Sequence, residues 1–197
     1  MLLHLYRRKL YVYPLGGGPL RPHSNLTNIN ISDFQNVDIV ADAHMLPYSD
    51  NSVDAIYCEA VLEHLNKPNL AVKEMNRVLR TGGKVIAITP FLQAYHGYPN
   101  HYQNFTISGH KNLFEVNNFH IDDYGVCVGP MYTFVNLVSV FIREYTPLIL
   151  AIPLRIVWHL IGSLFLKPFD IILNKKENAY IFASTTYVVA VKNDIRV

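Results

Sequence analysis

The chain has 197 residues, of which half are hydrophobic and only 16% are charged, and its formal net charge is +2. These values suit a folded domain with a sizeable core and argue against an intrinsically disordered chain. The Lys and Arg residues are scattered rather than aligned in a stripe, so the sequence predicts no nucleic-acid partner. The only basic cluster, residues 7–9, is interpreted as a solvated approach to the first strand.

The cysteines and the N-terminus indicate the compartment. Cys58 and Cys127 stand in apolar surroundings without CxxC spacing, so they are predicted to be reduced core thiols and no zinc site is expected. The N-terminal residues lack a long apolar stretch followed by a small-residue cleavage site, which argues against a signal peptide. The expected location is therefore cytoplasmic.

Strand and helix patterns alternate along the first half of the chain. A helix is predicted from Asn69 to Leu79, because apolar residues recur there at helical spacing, and residues 81–83 (TGG) are expected to end it. Short apolar, β-branched segments predict the strands around it. These predicted strands are LYVYPL (10–15), NLTNINI (25–31), VDIVAD (37–42), VDAIYC (53–58) and KVIAITP (84–90).

The second half continues with a helix at residues 108–119 and two last strands, at 120–128 and 180–192. Strands that alternate with crossovers predict an α/β fold with a mainly parallel sheet and helices on both faces. We expect one domain over residues 1–197, with an apolar helical insertion at 134–173 before the last strand.

Small and acidic residues follow the predicted strands at their carboxyl ends. Ligands of parallel α/β sheets bind at that edge, so these residues are predicted to line one crevice. Glycines let a ligand approach the backbone closely, and a carboxylate can accept a hydrogen bond from an amino group of a bound base. The predicted lining residues are Gly16, Gly17, Gly18, Asp42, Ala43 and Glu59.

The run from Asp42 to Pro90 resembles the core of class I S-adenosylmethionine-dependent methyltransferases of the type 11 group. Members typically carry an aspartate-alanine pair, an "LPF.D.SFD" turn, an "EH" after the fourth strand and an "RVLKPGG" helix end. Here the matching segments are DA (42–43), LPYSDNSVD (46–54), EH (63–64) and RVLRTGG (77–83). The similarity covers roughly Tyr11 to Phe119. The segment PFLQAYHGYPNHYQNFTISGHKNLFE is similar to a subgroup with a short first crossover.

This resemblance implies a Rossmann-like domain that binds S-adenosylmethionine. It matches Gly16 and Gly18 with the glycines of the cofactor loop, and Asp42 and Ala43 with the turn beside the adenine. The acidic residue that usually holds the ribose hydroxyls is replaced by Asn30, which can still form hydrogen bonds with a hydroxyl but carries no charge.

Two other departures concern the start of the chain. Pro14 stands where an acidic residue commonly precedes the first glycine of the loop. The chain also begins almost at the first strand, without the helix that often covers the cofactor in this superfamily. A truncated or decayed reading frame is therefore one interpretation of the sequence.

Methyl transfer from a sulfonium requires alignment of donor and acceptor and exclusion of water, and the acceptor can require a base. The residues proposed for catalysis follow the fifth strand: His96, His101 and Tyr102. Histidine titrates near neutral pH, which suits a general base. The alternative is that these are loop histidines with polar or structural roles, since His101 and Asn104 replace the Asp and Arg common in the subgroup.

Glu63 and His64 are similar to an acid-histidine pair that carries a metal in some quinone O-methyltransferases. The other acid of that motif falls at Ala60, so the sequence predicts no metal site. The pair is expected to orient the loop under the cofactor.

The segment from Phe134 to Leu173 is apolar enough to suggest a membrane. Arg155 and His159 lie inside its longest apolar run, and an Arg at mid-bilayer costs roughly 2.5–3.5 kcal/mol on insertion scales. A single span would also prevent the chain from returning to the sheet. Three arrangements stay open: interfacial contact in the membrane plane, a buried lid or dimer surface, and a spanning hairpin.

Two functions from different classes fit the sequence. The first is methyl transfer to a small molecule, of lipid-linked or glycan type. The second is a catalytically silent relative that keeps the fold as a binding or scaffolding module, which the departures at Pro14, Asn30, His101 and Asn104 would explain.

Overall fold

The computed structural model describes residues 27–97 and 100–194, together with the backbone of residues 12–15. These residues form a seven-stranded sheet with the strand order β3-β2-β1-β4-β5-β7-β6. Strands β1 to β5 pair in parallel, and β7 runs antiparallel to both β5 and β6. The strands are β1 (Val12–Leu15), β2 (Ile29–Asn30), β3 (Ile39–Val40), β4 (Val53–Glu59), β5 (Leu79–Pro90), β6 (Phe119–Val128) and β7 (Thr185–Lys192). The predicted α/β class with a mainly parallel sheet is confirmed.

Five α-helices and several short turns of helix connect these strands in the described residues. The helices are α1 (Pro68–Val78), α2 (Ile107–Glu115), α3 (Pro130–Tyr145), α4 (Leu148–Ile161) and α5 (Asp170–Leu173). Single 3₁₀ turns occupy Leu62–His64, Lys167–Phe169 and Ala179–Phe182, and a π-helical turn occupies Gly162–Leu166.

Helix α1 forms where the apolar spacing predicts it, with Pro68 in its first turn, where a missing N–H is tolerated. It ends at Val78, because Leu79 is already extended and opens β5. The prediction that the TGG segment ends this helix was wrong. The segment lies inside the first residues of β5, where Gly82 has a φ of +72°, a conformation that glycine adopts without strain.

Helix α2 begins after Thr106, whose side-chain oxygen accepts a hydrogen bond from the Gly109 N–H at 3.1 Å. Helices α1 and α2 contribute to the same core cluster, so they pack on the same face of the sheet. Their buried residues in this cluster are Ala71, Val72, Met75 and Val78 of α1 and Phe114 of α2, and the strands add Ile56, Cys58, Val85, Ala87, Val188 and Ala190.

The two cysteines differ in environment. Cys58 is buried in this core as a free thiol, as predicted. Cys127 is also a free thiol but is exposed on β6, so its predicted place in the core was wrong. The reason is that β6 is an edge strand, which among the described strands pairs with β7 alone.

The insertion between β6 and β7 is an antiparallel helical hairpin. Helix α3 leaves the sheet, and the helical run from Leu148 to Leu173 returns toward it. Asp170, near the end of this run, accepts hydrogen bonds from the N–H groups of Met131 and Tyr132, both at 2.9 Å. The Asp170 carboxylate thus caps the N-terminus of α3 and closes the base of the hairpin.

The contacts between the two arms are tight. The Trp158 indole N–H donates to the Val135 carbonyl at 2.8 Å. A Cβ at Gly162 would lie only 2.6 Å from a methyl carbon of Val135, so only glycine fits there. The run Leu148–Leu173 has 26 residues and a mean hydropathy of 1.9, and only 11% of its most apolar window is buried. The run is therefore long enough and apolar enough to cross a membrane.

His110 on α2 is one of the buried polar residues of the described chain. Its Nδ1 atom lies 3.1 Å from the Thr89 hydroxyl and 3.3 Å from that of Thr186, and its Nε2 atom has no partner in the described residues. Burial lowers the pKa of His110 to about 3. The ring is therefore neutral in the folded protein at physiological pH.

This burial predicts acid sensitivity. The unfolded chain binds a proton at His110 near pH 6.5, whereas the folded chain does not, so stability is lost as the pH falls from 6.5 toward 3. By pH 4.5 the loss from this group is about 2–3 kcal/mol. Urea unfolding of the wild type and of His110→Gln at pH 7.5 and 4.5 measures this loss of stability. The variant should lose less stability on acidification, and equal losses would contradict a buried neutral His110.

Candidate functional site

The carboxyl ends of the parallel strands meet at one edge of the sheet. Leu15 of β1 pairs with Ile29 of β2 on one side and with Cys58 of β4 on the other. Glu59 of β4 pairs with Ile88 of β5. Asn30, Asp42 and Glu59, at or just after the ends of β2, β3 and β4, therefore lie along a common edge.

Asp42 and Ala43 form a tight turn after β3. The Asp42 carboxylate accepts a hydrogen bond from the His44 N–H at 2.8 Å and lies 2.7 Å from the His44 ring nitrogen Nδ1. The backbone hydrogen bond from His44 holds the pKa of Asp42 below its ordinary value. Asp42 is thus an exposed, ionised acceptor, and Ala43 beside it is buried.

Asn30 and Glu59 complete the described part of this edge. Asn30 is buried at the end of β2, and its side-chain oxygen accepts the Ser32 N–H at 3.2 Å. Glu59 is exposed at the end of β4, and its carboxylate accepts a hydrogen bond from the Tyr57 hydroxyl. The glycines Gly16, Gly17 and Gly18 lie outside the described residues.

A second group of side chains lies beyond the ends of β4 and β5. His64, His96 and His101 form it, with ring centroids 4.2–5.8 Å apart. The His101 Nε2 atom lies 2.7 Å from the side-chain oxygen of Asn104, and its Nδ1 accepts the His96 backbone N–H at 3.3 Å. The amide of Asn104 in turn donates to the Gln93 carbonyl at 3.0 Å. Asn104 therefore fixes the His101 ring.

Glu63 lies beneath the histidines. It is fully buried, and both of its carboxylate oxygens lack a hydrogen-bond partner in the described residues. Its Oε1 atom is 3.9 Å from the His64 ring nitrogen Nε2. Burial raises the pKa of Glu63 to about 7. An unpartnered buried carboxylate is costly unless a proton or a cation compensates its charge.

The third residue proposed for catalysis, Tyr102, is placed differently. Its backbone N–H donates to the Glu63 carbonyl at 2.9 Å, while its side chain is 54% exposed. Tyr95, which precedes His96, stacks on the His101 ring with centroids 5.8 Å apart. The structure thus brings His96 and His101 together and leaves the Tyr102 ring outside the cluster of histidine rings.

A cavity of about 440 Å³ opens between the loop after β5 and the helical hairpin. His96 lines it from the loop, and two cations, Arg143 and Arg155, line it from the hairpin. Arg155 donates to the Ser139 hydroxyl at 3.3 Å, and that hydroxyl lies 2.8 Å from the His159 ring. The other lining residues include Gln93, Tyr95, Tyr132, Asn136 and Ser184.

Comparison with known proteins identifies the fold. Residues 23–87 match a family model described as "Methyltransferase domain". The demethylmenaquinone methyltransferase of Renibacterium salmoninarum is 43% identical over 51 residues, which cover 25% of this chain and 22% of the relative. The ubiquinone/menaquinone biosynthesis C-methyltransferase UbiE of Escherichia fergusonii is 34% identical over 80 residues, covering 36% and 32%. The match therefore spans about a third or less of these curated relatives.

Solved structures agree over nearly the whole chain. The YcgJ protein of Bacillus subtilis superposes with a TM-score of 0.59 at 16% identity and covers 98% of this chain and 97% of its own. The [4+2]-cyclase SpnF gives a TM-score of 0.58 at 18% identity, covering 93% and 74%. The chain therefore has the fold of these proteins.

The segment 23–87, which matches the family model, contains Asn30, Asp42, Ala43 and Glu59, which the structure places at one edge. Sequence analysis did not assign Arg155, Ser139 and His159 to a cavity. No motif signals them, because they come from two helices that meet only in the folded hairpin.

The contact between Asn104 and His101 predicts a shift in titration. Burial lowers the pKa of His101, whereas the hydrogen bond to Asn104 favours the protonated ring and opposes that lowering. Asn104→Ala should therefore lower the pKa of His101 further, as followed by long-range ¹H–¹⁵N NMR of the ring. Asn112→Ala, at an exposed position of α2, is the control. An unchanged or raised pKa in Asn104→Ala would contradict the assigned contact.

Proposed function

We propose that the protein transfers the methyl group of S-adenosylmethionine to a small-molecule acceptor. The observation that carries this proposal is that the segment matching the methyltransferase family model contains the residues gathered at one edge of the sheet. The ionised Asp42 is an acceptor for the adenine amino group, and the buried Ala43 beside it adds apolar surface.

Asn30 takes the ribose position in this proposal. Its side-chain oxygen is engaged by Ser32, so its amide N–H groups are the atoms offered to the ribose hydroxyls. A neutral amide forms a weaker bond with a hydroxyl than the usual carboxylate does, and the Glu59 carboxyl group stands at the same edge, at the end of β4, with β1 between the two strands.

The acceptor is proposed to occupy the cavity of about 440 Å³ beside His96. Arg155 makes no ion pair within the described residues, so it is available to an acceptor that carries a negatively charged group. The apolar hairpin above the cavity suits a lipid-linked acceptor, and the surrounding hydroxyl and amide groups suit a glycan. Demethylmenaquinone, which the relative from Renibacterium salmoninarum is named for, is a second lipid-type candidate.

His96 is the proposed general base. Its Nδ1 atom lies 3.0 Å from the Ala94 carbonyl, an acceptor, so Nδ1 carries the proton and Nε2 is free to take one from the acceptor. His101 uses both ring nitrogens in hydrogen bonds and therefore acts as a positioning residue for His96. Tyr102 is not among the residues that line this cavity, so its role in catalysis stays a prediction from the sequence.

Calorimetric titration with S-adenosylmethionine and S-adenosylhomocysteine tests the cofactor proposal. The wild type should bind either ligand with a micromolar dissociation constant, about −8 kcal/mol. Gly18→Val should abolish binding without unfolding the protein, because a branched side chain would stand where the cofactor approaches the backbone. Val116→Ala, at an exposed position after α2, is the control. Retained binding in Gly18→Val would show that the glycine loop is misassigned.

The same titration distinguishes methyl transfer from the second candidate function. Absence of binding up to millimolar ligand, by a protein shown to be folded by circular dichroism, would favour a catalytically silent module. The silent module is suggested by the sequence, in which Pro14 and Asn30 replace two acidic residues that are usual at the cofactor site.

We further propose that the protein is peripheral on the cytoplasmic face of a membrane and lies on it through the hairpin. The outward side of the run Leu148–Leu173 is apolar and largely exposed, with Ile149 at 82% and Ile156 at 57%. Lys167, Lys175 and Lys176 lie within or just after this run, where they can contact anionic headgroups.

Vesicle flotation tests the membrane proposal. The wild type should float with vesicles of phosphatidylcholine and phosphatidylglycerol, and Ile149→Glu/Ile156→Glu should reduce the bound fraction by at least about tenfold, since each charge must leave the apolar layer. Val116→Glu, which adds the same charge at a site that is 64% exposed, should float like the wild type. Equal flotation of the double variant would overturn the proposal. A wild-type dimer that the double variant converts to a monomer, without flotation of either, would assign the surface to self-association.

A further inference from the structure

The cluster of Glu63, His64 and His96 has the composition of a metal site. The carboxylate of Glu63 is fully buried, and neither of its oxygens has a hydrogen-bond partner in the described residues. Its neighbours on the side of the loop are imidazoles, which are good ligands for divalent transition metals. The burial of an unpartnered carboxylate among histidines is what a bound cation would stabilise.

The histidine tautomers agree with this role. Nδ1 of His64 lies 2.6 Å from the carbonyl of Asn100, and Nδ1 of His96 lies 3.0 Å from the carbonyl of Ala94. A carbonyl can only accept, so both Nδ1 atoms carry hydrogen and both Nε2 atoms keep a lone pair. Histidine ligands in metal sites are oriented in this way, by a hydrogen bond from the second ring nitrogen to a carbonyl or carboxylate.

The three ligand atoms would have to move only slightly closer together to bind one metal ion. One ligand atom from each of the three residues lies within 4.8 Å of the other two. Ligands about 2.1 Å from a zinc ion in tetrahedral geometry are separated by roughly 3.4 Å. His96 stands on an exposed loop and can shift by the difference of up to about 1.4 Å, while Glu63 and His64 are fixed by the 3₁₀ turn that follows β4.

We propose that Glu63, His64 and His96 form a two-histidine, one-carboxylate site for a divalent transition metal, with zinc as the best match. Three protein ligands leave one position open. Because His96 also lines the cavity of about 440 Å³, the open position faces the place proposed for the acceptor. With a metal bound, the lone pair of His96 Nε2 would be engaged, so His96 is the general base only in the metal-free protein; the cation would instead lower the pKa of an acceptor oxygen at the open position, which would release its proton to water.

His101, the third histidine of the cluster, is not one of the proposed ligands. His101 lies 4.2 Å from His96 between ring centroids, but its nitrogens are engaged by Asn104 and by the His96 N–H. It therefore supports His96 rather than binding the metal. The sequence prediction of no metal considered only Ala60 as the missing acid, and the structure supplies His96 from a loop that the spacing of the motif does not include.

Metal binding by the tag-free protein tests this inference. After treatment with a chelator, the wild type should bind one Zn²⁺ per chain in a competition titration and should bind Mg²⁺ far more weakly. Glu63→Gln and His96→Gln should each weaken zinc binding by at least about 100-fold, because each removes a ligand. His120→Gln and Glu115→Gln, at exposed positions away from the cluster, should bind zinc like the wild type.

Absence of stoichiometric zinc binding by the wild type, or equal binding by Glu63→Gln, would overturn the site. Selective binding of Mg²⁺ over Zn²⁺ would overturn the assignment to a transition metal. The measurement needs neither S-adenosylmethionine nor methyl transfer. Failure of the metal site is therefore distinguishable from failure of the proposed function, which the cofactor titration tests separately.

Discussion

The antiparallel insertion of β7 between β5 and β6 determines where the chemistry of this protein can occur. Pro90 at the end of β5 pairs with Thr185 at the start of β7, and Val128 at the end of β6 pairs with the same residue. The connection from β6 to β7 must therefore leave and return at the carboxyl edge of the parallel strands. The helical hairpin thus stands at this edge of the sheet, and the cavity of about 440 Å³ lies between the hairpin and the loop after β5.

The sequence predicts those structural features that are determined by residues close together in the chain, and it misses those that depend on distant residues. Helix α1 and strands β4 and β5 follow from periodicity within one segment, and the match to methyltransferases predicts the edge that carries Asp42. The end of α1 was misplaced because glycines usually end helices, whereas here Leu79 is drawn into β5 by pairing with Val53. That pairing joins segments 26 residues apart, so no local pattern reports it.

The cluster around Glu63 illustrates the same limit for a site. Glu63 and His64 are adjacent in the sequence and were noticed as a pair, but His96 follows only after α1 and the whole of β5. The three meet because β4 and β5 are parallel neighbours whose carboxyl ends lie side by side. The burial of the Glu63 carboxylate, which makes the cluster more than a set of loop histidines, depends on packing that composition cannot predict.

The folded hairpin explains how a strongly apolar run can contain an Arg and a His. An Arg and a His inside a strongly apolar run argue against lipid contact if the run is considered as a single helix. In the folded hairpin Arg155 and His159 meet Ser139 of the other arm and face the cavity, while Ile149, Ile156 and their neighbours remain outside. Arg155 is half-buried and donates to Ser139, and it also lines a surface pocket with Ile152 and Ile156. Docking in the membrane plane would leave this Arg at the level of the headgroups, where a charge costs far less than at the centre of the bilayer. The same arrangement places a cation next to His96, so an acceptor that enters along the hairpin would have its polar group directed toward the histidine cluster.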